Sequence, residues 1–332
     1  MQRIVQWVDP FTNEPLLEEN GFLISPTGKY ILHDGIPNFV TKLDNPLQEQ
    51  VQISFGDKWT KSEFGQDDSD FPKIKDVMLE MMNLNESDLS IFQDKIVLDA
   101  GIGSGSSARL WALQAREFHG IDISIAVYKA KNALKASGKE PILSQADLNA
   151  LPYRDESFDI IVSNGVFHHT PDTKSALKNC IKKVKVGGHC LFYIYKKKSP
   201  LREFADDYIR SKISDLPHDS AMEAMRPITN FAKSLHEQSI KIQVPHDVEI
   251  LGIKKGEYDL QRFIYQFFFK CFWNDSWGFE YSNLTNYDWY HPKFAWRHTE
   301  REIQDWCKEL NLETRYIKES ESGYTCLVKK IS

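Results

Sequence analysis

The segment VLDAGIGSGSSARLWA, opening at Val97, limits the choice of fold more than any other stretch of this chain. A run of β-formers ends in an acid, Asp99, followed by glycines at alternate positions, Gly101, Gly103 and Gly105, and then by helix-forming residues. Lacking a Cβ, these positions let the chain turn tightly and let its backbone approach a ligand at the carboxyl end of a strand. The pattern predicts a strand, a ligand-cradling loop and a helix, the opening unit of a doubly wound α/β sheet.

A second acid narrows the ligand. Asp122, in HGIDIS, stands 23 positions after Asp99 and ends a second apolar run. There a carboxylate can accept hydrogen bonds from both hydroxyls of a ribose. The spacing also suits a nicotinamide dinucleotide, but that fingerprint opens with glycine directly after the strand, whereas here Asp99 intervenes. The chain continues as QADLNALPYRDESFDIIVSNGVFHHTPD. With its glycine loop, its ribose acid and its D-x-x-x-L-P-Y-x-x-x-S-F-D run in this order, the sequence resembles the class I S-adenosylmethionine-dependent methyltransferases, the small-molecule branch in particular. The likeness covers about residues 94–196 and returns weakly at about 296–331.

The resemblance implies a Rossmann-like α/β fold, a doubly wound, mostly parallel sheet of seven strands, with S-adenosylmethionine as cofactor and S-adenosylhomocysteine as product. It implies that Asp99, Gly101, Gly103 and Gly105 hold the methionine moiety, that Asp122 binds the ribose and that Ile123 packs on adenine. It further assigns the adenine amino group to Asp147, adjacent backbone contacts to Leu148, and a place beneath the methionine portion to Asn164. The plain alternatives are a generic tight turn for the glycines and capping or turn roles for Asp122 and Asp147.

Composition sets outer limits. At 332 residues and 41% hydrophobic content, the chain can bury a full α/β core and carry further modules. A net charge of −6 argues against extended nucleic-acid binding, which demands a basic surface. Two lysine clusters, Lys182, Lys183 and Lys185 and then Lys196 to Lys198, read as solvated surface, the second with a possible pull on a phosphorylated acceptor. Cys180, Cys190, Cys271, Cys307 and Cys326 lie far apart with no CxxC pair, which favours reduced thiols over a disulfide or zinc framework. With no secretory pattern and no charge-free stretch of membrane-spanning length, the expected setting is the cytoplasm, with no metal and no membrane span.

The expected organisation has four parts. Residues 1–42 alternate short β runs with turns, a small β module resembling the zinc-ribbon-like segment that precedes some methyltransferase domains. Its closing Y-I-L-H-D-G-I-P is present, but the cysteine positions hold residues such as Asp9 and Thr12, so a structural zinc is not expected. Residues 43–93 read as a helical lead-in, with Phe55, Trp59 and Phe64 as lid or packing aromatics and a stripe at Ile74, Val77, Met78, Met81 and Met82. Residues 94–196 and 297–332 form the core, including a helix that stops at the Gly187-Gly188 pair and a capped helix opening at Thr299 with Glu302 three positions on. Residues 197–296 form a helical cap insertion. In it a helix through Leu260 to Trp273 is expected to be apolar on two faces, one free to line a pocket or to make a homodimer contact.

A methyl sulfonium reacts by in-line displacement, so such a protein chiefly aligns the acceptor and excludes water. Amine or thiolate acceptors need no more, whereas a hydroxyl or carbon acid needs a base. His168, His169, Tyr195 and His291 are the candidates, with Tyr290 beside the last. The expected activity is methyl transfer to a small-molecule acceptor such as a biosynthetic intermediate or sugar-linked precursor. The alternatives are a tRNA methyltransferase and a cofactor-binding subunit without turnover.

Overall fold

The structure is a computed structural model and describes residues 3–41, 43, 45–61 and 71–332. Phe64, expected among the lid aromatics, lies outside the described residues. The chain divides into two compact units, Met1–Lys196 with His298–Ser332, and Lys197–Arg297. In chain order the strands are β1 (Leu17–Glu19), β2 (Phe22–Ile24), β3 (Lys29–His33), β4 (Ile36–Pro37), β5 (Ile96–Ala100), β6 (Glu117–Asp122), β7 (Ile142–Gln145), β8 (Phe158–Asn164), β9 (Val184–Tyr195), β10 (Lys241–Val244), β11 (Gly256–Asp259), β12 (Leu312–Glu319) and β13 (Gly323–Lys330). The helices are α1 (Pro46–Lys61), α2 (Phe71–Met81), α3 (Arg109–Ala112), α4 (Ala126–Ala136), α5 (Thr173–Lys183), α6 (Pro200–Ile213), α7 (His218–Glu237), α8 (Leu260–Phe267), α9 (Gly278–Tyr290) and α10 (Glu300–Glu309).

The first unit is built on a seven-stranded sheet of order β12-β13-β9-β8-β5-β6-β7. Only β13 runs against its neighbours; the pairs β5 with β6, β5 with β8, β6 with β7 and β8 with β9 are parallel. Every residue of β5, IVLDA, is buried, as a parallel strand covered on both faces requires. The chain winds outward from β5 through β6 and β7 on one side and through β8 and β9 on the other. Its topological switch point therefore lies between β5 and β8, where open α/β sheets place their ligands.

The amino-terminal strands β1 to β4 form an antiparallel meander that shares its interior with this sheet. Trp7, Leu23, Tyr30 and Phe39 belong to the same buried cluster as Leu148, Leu151 and Tyr153. The meander also closes the free edge of β7: Asn38 bridges Gln145 in parallel, and the Phe39 amide donates to the Gln145 carbonyl at 2.8 Å. Farther back, the Ile4 and Val5 amides donate to the Glu117 carboxylate at 2.6 and 2.8 Å, and the Val8 amide to the Pro152 carbonyl at 3.0 Å.

Asp9 is the hub of this meander. Its fully buried carboxylate accepts from the Phe11 and Thr12 amides and from the hydroxyls of Ser25, Thr27 and Tyr30. Burial alone would raise its pKa, but the bonds from Ser25, Phe11, Thr12 and Tyr30 prevail and bring it from the ordinary 3.8 to about 2. A carboxylate depressed in the folded chain contributes its stability above the unfolded pKa and loses it as pH falls through the folded one. Asp9 should therefore contribute roughly 2 kcal/mol that disappears between about pH 4 and pH 2. Acid titration of stability should show that slope in the parent and a flatter one in Asp9→Asn.

Three elements differ from expectation. The helix after the glycine loop is a single turn, α3, because residues 102–108 are taken up by turns. α5 ends at Lys183, and the glycine pair falls inside β9 instead, where Gly187 adopts φ +82° and the register against β8 shifts. That is a bulge rather than a helix stop. The helix expected through Trp273 ends at Phe267, and the next residues are claimed by side chains: the Lys270 amide donates to Asp206, and the Cys271 carbonyl accepts from Gln261. Tyr265, Cys271 and Trp273 pack with Ala232 as the core of the second unit, so the two-faced helix is not formed.

In that second unit Arg202 and Asp206 on α6 are an ion pair 3.1 Å apart, with side chains 0% and 1% exposed. Asp206 also accepts from Trp289 Nε1 at 2.8 Å, the Tyr290 hydroxyl at 2.7 Å and the Lys270 amide at 2.9 Å. One carboxylate thus ties α6 and α9 to the segment after α8. No described helix is long and apolar enough to cross a membrane.

Candidate active site

Three acids stand at the carboxyl ends of adjacent strands. Asp99, in β5, is buried and accepts from Trp111 Nε1 at 2.8 Å. Burial, reinforced by the charge of Asp122 and opposed by the Trp111 bond, raises its pKa to about 7. Asp122, the last residue of β6, accepts from the Gly103 amide at 2.9 Å and from the Ser124 amide and hydroxyl at 2.9 and 2.7 Å. Its pKa is also raised, burial outweighing those three bonds. Asp147, just beyond β7, accepts from Gln48 Nε2 at 2.7 Å and from the Asn149 amide at 2.9 Å, with Leu148 buried beside it.

The glycine loop bends between the first two acids. Gly105 adopts φ +81°, and a Cβ there would lie 2.8 Å from the Ala130 Cα on α4. Gly103, at φ +55°, would bring a Cβ to 2.9 Å from Trp59 Nε1. Both positions are thus reserved for glycine by conformation and by space.

Helix α1 lies along this edge. Gln48, Gln52, Phe55 and Trp59 recur at helical spacing and so share one face. Gln48 meets Asp147, and Gln52 donates to the Ile123 carbonyl at 2.7 Å, which Gln145 also contacts. Phe55 packs edge-on against His169, with centroids 4.8 Å apart. Trp59 lies over Gly103, and its carbonyl is held by Lys129 Nζ at 2.7 Å. At the other end of the crevice, Met78 of α2 receives a hydrogen bond from Asn164 Nδ2. The sequence reading singled out the aromatics of this face but missed the two glutamines, whose signal was the shared helical period.

Beyond β8, a 3-10 turn carries His168 and His169 against the end of β9. The His168 ring lies 3.7 Å from that of Tyr195 and 4.3 Å from that of His169, and His168 Nδ1 accepts from the Tyr195 amide at 3.3 Å. His298 joins this group: its amide donates to the Tyr195 carbonyl at 2.9 Å, and its Nε2 pairs with the Thr173 hydroxyl at 2.9 Å. Thr299 is the cap itself, in a reciprocal capping box with Glu302. His291 belongs to the second unit, where Nδ1 meets the Tyr287 hydroxyl at 2.9 Å and Nε2 meets the Leu216 carbonyl at 2.9 Å. Lys183, Lys185 and Lys196 of the two lysine clusters pair with Asp155, Asp159 and Glu319. Among the described residues no group of three His, Cys, Asp or Glu side chains is arranged to hold a metal.

Residues 98–192 match the Methyltransferase domain family. This chain carries a class I S-adenosylmethionine-dependent methyltransferase domain. The match includes the glycine loop, Asp122, Asp147 and the two histidines of the methyltransferase core. The domain is 27% identical over 126 residues to a ubiquinone biosynthesis O-methyltransferase of Nitrosomonas europaea, covering 37% of this chain and 54% of that protein. It is 33% identical over 96 residues to a malonyl-(acyl-carrier protein) O-methyltransferase of Pseudescherichia vulneris, covering 29% and 37%. The chain thus spans about half the length of the first relative and less of the second. Among solved structures, a magnesium protoporphyrin IX methyltransferase from Synechocystis PCC 6803 with bound SAM is 13% identical at a TM-score of 0.44, covering 87% of this chain and 99% of that one.

Proposed function

We propose that this protein transfers a methyl group from S-adenosylmethionine to a small-molecule acceptor in the cytoplasm. The observation that supports this reading most strongly is the alignment of Asp99, Asp122 and Asp147 along one strand edge, under the face of α1 and beside a loop in which Gly103 and Gly105 leave no room for a Cβ. In this reading Asp99 and the backbone of Gly101, Gly103 and Gly105 hold the amino-acid end. Asp122 takes the ribose hydroxyls, Ile123 and Leu148 pack at the adenine, and Asp147 accepts from its amino group. Asn164 lies below the methionine portion. The bound cofactor supplies an electrophilic methyl group. The chain's residues supply alignment and the exclusion of water, through Gln48, Gln52, Phe55 and Trp59 on α1.

His169 and Tyr195 are our candidates to take a proton from the acceptor, with His168 part of the same wall. His291 makes its hydrogen bonds within the second unit, and we give it no step. Both relatives are O-methyltransferases by name, which favours an oxygen acceptor. The unpaired, buried cysteines suit a reducing compartment.

Calorimetry with S-adenosylmethionine and S-adenosylhomocysteine tests the reading; absence of binding by either refutes it. Because Asp99 titrates near 7, its charge grows as pH rises, and the cationic cofactor should bind more tightly at pH 8 than at pH 6. The expected gain is roughly tenfold. An unchanged dissociation constant across that range would remove Asp99 from the cation's neighbourhood.

A further inference from the structure

His168 combines full burial with a half-used ring. Its Nδ1 accepts the Tyr195 amide, so that nitrogen carries no proton and the neutral ring must carry its proton on Nε2. Nε2 has no hydrogen-bond partner among the described residues, although the side chain is 0% exposed. A buried donor left without an acceptor is costly, and such groups recur where a ligand completes the pairing. The ring sits between Tyr195 and His169, and His169 in turn touches Phe55 on the α1 face that covers the cofactor crevice.

We propose that His168 is the acceptor-binding donor of this site, presenting Nε2–H to an oxygen of the methyl acceptor, and that it is not the base. The titratable groups around it are His169 from its own turn, Tyr195 from β9 and His298 from the segment before α10. Burial, then the neighbouring His169 and His298, hold it neutral by pushing its pKa well below the ordinary 6.5. A neutral N–H pairs with a carbonyl, carboxylate or phenolic oxygen and has nothing to offer an ammonium. The acceptor class is therefore an oxygen-bearing small molecule. This inference rests on the methyltransferase reading.

The test uses the full chain with S-adenosylhomocysteine bound, which calorimetry establishes first; failure at that step defeats the methyltransferase reading and this inference with it, whereas the later steps decide this inference alone. Long-range proton–nitrogen NMR of histidine-labelled protein should show His168 as the Nε2–H tautomer, unchanged from pH 5.5 to 8.5. A ring protonated on Nδ1, or one titrating near 6.5, overturns the proposal. Methyl transfer is then measured on a panel of hydroxybenzoates, carboxylic acids, primary amines and thiols. Turnover confined to amines or thiols, or none on any oxygen acceptor, also overturns it. On the oxygen acceptor used, His168→Phe should lower kcat/KM by roughly ten- to a hundredfold. His168→Gln, which restores an N–H at the same reach, should recover part of that loss with the parent's pH profile. A profile that loses a limb in His168→Gln would make the residue the base and defeat the proposal.

Discussion

Replacing Asp206 by alanine should unfold the 197–297 unit under conditions in which the parent is stable, at a cost of about 3–5 kcal/mol. The magnitude comes from what would remain. Arg202 is fully buried, its guanidinium lies 4.6 Å from the Tyr265 ring centroid and 5.2 Å from that of Trp289, and Asp206 is its carboxylate partner. Loss of that carboxylate strands a buried charge and also removes the acceptor that Trp289 Nε1 and the Lys270 amide share. Burial opposes the charge on Arg202, yet the pull of Asp206 and of the Tyr265 and Tyr290 hydroxyls raises its pKa above the ordinary arginine value. Urea unfolding followed by the tryptophans of this unit measures the effect. The double variant Asp206→Leu with Arg202→Met removes both charges and should recover much of the loss. A single variant as stable as the parent would mean that the pair carries no weight in this fold.

Asp122→Ala should weaken S-adenosylmethionine binding by on the order of 1.5–3 kcal/mol, tenfold or more in the dissociation constant. Two losses add. The ribose hydroxyls forfeit a charge-assisted acceptor, and the Gly103 amide, which Asp122 accepts at 2.9 Å, loses the partner that holds the glycine loop in shape. Asp122→Asn keeps a carbonyl for Gly103 and should fall between the two. Calorimetry of all three proteins at one pH checks the order, and a change below a few tenths of a kcal/mol in the alanine variant would overturn the ribose assignment.

What could be read from sequence was local. The strand and glycine turn at Val97, the acids ending β6 and following β7, and the Thr299 to Glu302 capping box each declare themselves within a few residues, because strand, turn and cap chemistry act over that range. What could not be read depends on distant partners. The 260–273 stripe has helical spacing throughout, yet Asp206, 64 residues away, captures the Lys270 amide and the helix stops. Gly187 and Gly188 look like a terminator, but pairing with β8 draws them into a strand. His298 reaches the site through the Tyr195 carbonyl, a contact across about a hundred residues that no periodicity announces. Asp9 was noticed only as a replaced cysteine; the hydroxyls that converge on it are scattered to Tyr30.

The meander that seals β7 carries an implication for synthesis. Its docking points, Glu117, Gln145 and Pro152, are translated long after the residues that dock on them. The leading forty residues must therefore wait, unseated, until the middle of the chain has left the ribosome. Only then can α1, which follows them directly, settle against Ile123 and Asp147, so this edge of the sheet is completed no earlier than the release of the middle of the chain.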